Sequence, residues 1–155
     1  MELSSTFPEK WIFGAMERAT LGTPVVLVAD VVNGALESRY SALRAPGAAG
    51  GYQVTAGRTL WLTYLVVSAT ISNALWLTGS GTADAGDSQV AAPAGAASAD
   101  SRADGVPNAR VTLVALNPDE YMSLIRINAG RFPFLRCMSA SATLLGLFRG
   151  VEIAD

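Results

Sequence analysis

Histidine is missing from all 155 positions of this chain, and cysteine and lysine occur once each, as Cys137 and Lys10. Without histidine there is no imidazole base near neutral pH, no His metal ligand and no Ser–His or Cys–His nucleophile pair. A single cysteine excludes an intrachain disulfide and a multi-thiolate metal site. Its neighbours Phe134 and Leu135 point instead to a small buried hydrophobe. Charge is scarce as well: 15% of residues are charged, against roughly one quarter in soluble domains. The net charge of −2 leaves no positive excess to attract nucleic acid. The opening "MELSSTFPEKWIF" has neither the basic n-region nor the apolar h-region of a signal peptide. It predicts a protein made and kept inside a cell, at least until it joins something larger.

What is present is apolar. Half of the residues are hydrophobic, and the length suits one domain burying about two-thirds of its unfolded surface. So few charges imply a membrane setting or an exterior covered by neighbours. All basic residues except Lys10 are arginine, whose planar, weakly hydrated fork suits protein interfaces. The nineteen uncharged residues 59–77, "TLWLTYLVVSATISNALWL", are long enough to cross a bilayer as a helix. However, they are rich in β-branched and aromatic residues, their second half is polar, and only Arg58 flanks them. "SATISNA" reads as the turn of a hairpin, with Leu60, Leu62, Tyr64 and Val66 on one face. Trp61, Thr63, Leu65 and Val67 take the other face.

Residues 1–23 form a separate arm carrying Phe7, Trp11, Phe13 and Arg18. The arm either folds back on the core or docks those anchors on a partner, as interface hot spots do. A single domain then covers residues 24–155. "GTPVVLVADVV" (22–32) reads as a strand opened by proline. Residues 35–43 suggest at most a helical turn. Residues 79–108, Ala/Gly/Ser/Asp-rich, read as one long irregular loop, of a kind that is usually functional or partner-covered. Its Asp84, Asp87, Asp100 and Asp104 invite a calcium reading, but the spacing and terminal Glu of an EF-hand are missing. "ARVTLVALN", "SLIRINA", "RFPFLRCMSA" and "ATLLGLFRGVEIAD" are strand-length, with a turn or short helix at "PDEYMSL". Gly146 and Gly150 mark bulges or close backbone approach. The fold class is all-β, an antiparallel β-sandwich.

One motif occurs twice, "VTAGRTLW" at 54–61 and "INAGRFPF" at 127–134. In each, a glycine (Gly57, Gly130) is free to take positive φ at a tight corner, and an arginine (Arg58, Arg131) can set its guanidinium on a carboxylate or carbonyl. No helix follows, so neither copy is a phosphate loop. The echo predicts two scaffold corners in one sandwich.

The order "YQVTAGRTLWLTYLVVSATISNALWLTGSG", a spacer, then "IRINAGRFPFLRCMSASATLLGLFRGVEI" resembles the jelly-roll sandwiches of tailed-phage virion proteins. The likeness spans roughly residues 52–153 without the long loop, and residues 1–23 fall outside it. It implies a capsid decoration or cement protein on the virion surface, commonly a homotrimer, whose partners are the major capsid protein and itself. It carries over no catalytic residue, cofactor or metal, and no membrane or nucleic-acid partner. The same fold also serves fibres and receptor-binding tips, where Trp61, Trp76, Tyr40 or Tyr52 could stack on sugars. An enzyme would have to use carboxylates such as Glu120 and Glu152, which sit in no recognisable pair.

Overall fold

The computed structural model describes residues 22–35, 37–71, 74–106, 111–114 and 125–155. The arm with Phe7, Trp11, Phe13 and Arg18, Glu120 and the "PDEYMSL" segment lie outside the described residues. Among the described residues nine strands follow one another: β1 (Thr23–Asn33), β2 (Arg39–Ala42), β3 (Arg58–Ala69), β4 (Ala74–Gly81), β5 (Ala97–Val106), β6 (Val111–Val114), β7 (Ile125–Ile127), β8 (Phe132–Cys137) and β9 (Ala142–Ala154). There is no helix among the described residues, and so none long and apolar enough to cross a membrane.

Among the described residues all pairings are antiparallel, and one set of them is nested, β1 with β9, β2 with β8, β3 with β7 and β6, β4 with β5, while β9 also pairs with β3 and β8 with β4. The chain is thus a long ribbon folded back on itself and wrapped into two sheets, as in a jelly roll. The first sheet runs β1-β9-β3-β6, with β7 on the same side of β3 as β6; the second runs β2-β8-β4-β5. Between them lies one core holding Leu27, Val31, Leu60, Trp76, Leu135, Leu144 and Phe148, each fully buried. Each such aliphatic or Phe side chain contributes about 1.5–3 kcal/mol by leaving water. Cys137 belongs to this core as a small hydrophobe.

The structure corrects four sequence expectations. The strands on either side of "SATISNA" are not a hairpin, because β3 pairs only within the first sheet and β4 only within the second. The turn moves the chain from one sheet to the other. The face assignment on β3 holds only for its first half. Leu60 and Leu62 point into the core, and then Leu65 and Val67 do, because the register slips between Leu62 and Tyr64. The extra residue is a bulge, which reverses the alternation beyond it. It sits opposite Gly150, where a Cβ would lie 2.3 Å from the Trp61 carbonyl oxygen. The helical turn at 35–43 is instead the strand β2, held by its ladder to β8.

The fourth correction concerns the loop at 79–108. Residues 79–81 complete β4, residues 97–106 are β5, and only 82–96 connect them. That connection lies along the free edge of β2. Tyr40 and Gln89 exchange amide hydrogen bonds of 2.8 Å each, and the Ala42 amide donates to the Gly86 carbonyl at 2.8 Å. Ala85 thereby helps bury Tyr40, Ala42 and Phe134 in a second, smaller cluster on the outer side of the β2-β8-β4-β5 sheet. The stretch is a cover for the protein's own sheet.

Candidate functional site

The two echo copies form matching turns. The Arg58 amide donates to the Thr55 carbonyl at 3.1 Å and the Arg131 amide to the Asn128 carbonyl at 3.3 Å. The third residue of each turn is a glycine with positive φ, 70° at Gly57 and 74° at Gly130, as type II geometry requires. The turns also hold each other. The Val54 amide donates to the Arg131 carbonyl, and the Gly130 amide to the Val54 carbonyl, both at 2.9 Å. Since one turn opens β3 and the other opens β8, this contact fastens the two sheets at one end of the sandwich.

Each arginine does what its chemistry allows. Arg131 forks across Ser80 Oγ, the Ser80 carbonyl and the Gly95 carbonyl, each at 2.7 Å. Arg58 donates to Thr23 Oγ1 at 3.0 Å, linking β3 to the start of β1. Beneath them lies Glu152, only 3% exposed. It accepts the Tyr52 hydroxyl at 2.7 Å and the Thr55 amide at 3.0 Å. Burial alone would push this carboxyl up, but the Thr55 amide, the Tyr52 and Thr55 hydroxyls and the Arg58 charge hold it below the usual glutamate range. Burial first, and then the adjacent carboxylate, raise the Tyr52 phenol well above its ordinary value. The signal for this anchor is present in the sequence. Glu152 is in phase with Leu144 and Phe148 on β9, so it had to point inward, where a charge needs partners. The group is a structural clamp, with its oxygen taken by the protein's own donors.

The remaining sequence candidates separate clearly. Trp76 is fully buried, and Tyr40 is buried against Phe134 in an edge-to-face pair with ring centres 5.5 Å apart. Tyr52 is held by Glu152. Trp61 faces an open depression of about 310 Å³, lined also by Thr59, Arg126, Ile153, Ala154 and Asp155. The Arg126 guanidinium lies over the indole, 5.9 Å from its centre. Asp84 accepts the amides of Gly51 and Gly86, and Asp87 accepts the hydroxyls of Ser41 and Ser88. Both carboxylates brace loop backbone and side chains, and no group of three or more metal-ligating side chains occurs among the described residues.

The surface feature that stands out is the outer side of the β1-β9-β3 sheet. Register places Pro24, Val151 and Trp61 in one row, Val26, Arg149 and Tyr64 in the next, and Val28, Leu147 and Val66 in a third. Asp30, Leu145 and Ser68 form a fourth, and Val32 lies beside Thr143. Val26, Val32 and Leu145 are 43%, 56% and 58% exposed. Its polar relief comes from Arg149, stacked 5.6 Å from the Tyr64 ring centre, and from the Asp30–Arg44 ion pair. Strands with one solvated face usually alternate apolar with polar residues; here both faces are largely apolar. Comparison with protein-family models, with curated proteins and with solved structures finds no match to this chain.

Proposed function

We propose that this protein is a structural subunit of a virus particle, a capsid cement or decoration protein that stabilises a phage head by bridging neighbouring capsid proteins. The observation that carries the reading is the outer side of the β1-β9-β3 sheet, a largely apolar surface. Exposed apolar patches of this kind mark sites of association. The resemblance of the echo-bearing segments to tailed-phage virion sandwiches supplies the setting, the homotrimer and the capsid surface as the location. Such a subunit acts by burial, at about 25 cal/mol per Å² of apolar contact less the ordering cost.

The test is co-sedimentation with shells assembled from the major capsid protein of the particle that carries this chain. The native protein should pellet with the shells. Leu145→Lys and Val32→Lys should each weaken that binding at least about tenfold, equal to about 1.4 kcal/mol. Unchanged binding by both variants sinks the reading. A second reading, a fibre or receptor-binding module, is favoured by the Trp61 depression, where an indole, a guanidinium and the Asp155 carboxylate converge. Glycan-array binding abolished by Trp61→Ala would support it, and inertness on the array would remove it.

A further inference from the structure

The two outer sides of the sandwich are treated differently. The β2-β8-β4-β5 sheet is closed over Tyr40, Ala42 and Phe134 by the connection 82–96. The β1-β9-β3 sheet is closed by none of the described residues over Val26, Val32 and Leu145. We propose that this second face seats residues 1–21 of the same chain, which close it in the free protein until a neighbour in the assembled shell takes their place. Only the displacement step rests on the proposed assembly role; the docking stands without it.

Four observations name this occupant. The segment brings Phe7, Trp11, Ile12, Phe13, Met16 and Leu21, an apolar set matching an apolar face. It joins the fold at Gly22, immediately before β1, at the end of the face where Pro24, Val151 and Trp61 share a row. A glycine there allows the chain to double back over the sheet. Its length suffices: extended it reaches about 70 Å and coiled as a helix about 30 Å, while an eleven-residue strand such as β1 is about 35 Å long. The charges also match. The segment carries three carboxylates (Glu2, Glu9, Glu17) against Lys10 and Arg18, and the face carries Arg126 and Arg149 while the Asp30 carboxylate is engaged by Arg44. Direct tethering gives the chain's own segment an effective concentration on the order of millimolar, which a second copy does not reach at ordinary protein concentrations.

A nitroxide on Leu145→Cys, in the middle of the face, tests the seat by paramagnetic broadening of amide signals. Cys137, buried with 0% exposure, stays unlabelled. Amide signals of residues 7–16 should be lost with this label and kept with a label on Leu75→Cys, which is 50% exposed on the other sheet. They should also be kept when labelled nitrogen-14 chains are mixed with unlabelled nitrogen-15 chains. Signals unaffected by the Leu145 label overturn the proposal. Equal loss in the mixed sample also overturns it and assigns the face to a second copy. Deletion of residues 1–21 should speed or strengthen shell binding. If the labels report the seat and the truncated chain binds no shells, the assembly role fails and the docking remains.

Discussion

Glycine plays two physically distinct parts in this chain, and substitution separates them. At Gly57 and Gly130 an added Cβ would meet nothing within 4 Å, so the cost of alanine there is purely the positive φ. Gly57→Ala and Gly130→Ala should each lower stability by about 1–2 kcal/mol, read from urea unfolding. At Gly150 the obstacle is the Trp61 carbonyl oxygen at the bulge, and Gly150→Ala should cost more, about 3 kcal/mol. The reverse ranking would mean that the bulge relaxes easily. Glu152 sets the acid limb of stability. Its carboxyl titrates below the usual range in the folded protein, so its contribution is present above the unfolded value of about 4.3. The contribution disappears as pH falls through the lower folded value. Glu152→Gln should lose about 1–3 kcal/mol at pH 7 by weakening charge-assisted bonds. The gap from the native protein should then shrink below about pH 4.3; a gap constant from pH 7 to 3 contradicts the assignment.

Among the elements, legibility followed how local the cause was. The alternation of β1, the first half of β3, and β9 comes from their own residues, and so does the positive φ at Gly57 and Gly130. Apart from Tyr40 and Val106, β2 and β5 are made of Arg, Ser, Ala, Asp and Gly, with no strong strand preference, and are strands because β8 and β4 offer them ladders. That information lies some hundred residues away for Arg39 and Cys137. The change of sheet between β3 and β4 left no local mark, since either course produces two strands around a turn. Of the functional reading, Glu152 was visible as a carboxylate, but its clamp depends on Tyr52 and Thr55 arriving from another strand connection. The arginine of the second corner is the sharpest test at this level. Arg131→Ala should lose about 2–3 kcal/mol by removing a fork that ties β8 to β4 and to residue 95. Arg131→Lys should recover less than half of that loss, because an ammonium cannot span Ser80 and Gly95 together. Full rescue by lysine would reduce the fork to a simple charge.

For the molecule as a whole, nested pairing means that both sheets draw strands from the two halves of the chain. Neither half holds a complete sheet, so the sandwich unfolds as one unit. The outer apolar side of the β1-β9-β3 sheet is separable from that unit. In the chain lacking residues 1–21, Val32→Lys and Leu145→Lys replace exposed side chains and should change unfolding stability by no more than about 0.5 kcal/mol. Their effect belongs to association, and a large loss of stability in either would place these residues in the fold rather than at a surface. The antiparallel register of β1 with β9 sets Thr23 opposite Glu152, and Arg58 ties the same corner to Thr23. The two ends of the sandwich sequence therefore emerge side by side at one pole. A short linker from Asp155 to Gly22 should close the chain into a ring. New termini could then be cut in the 82–96 connection, giving a circular permutant with the same nine strands. Cargo fused after Asp155, or put in place of residues 1–21 ahead of Gly22, would be presented from that single pole, leaving the opposite end of the sandwich free of it.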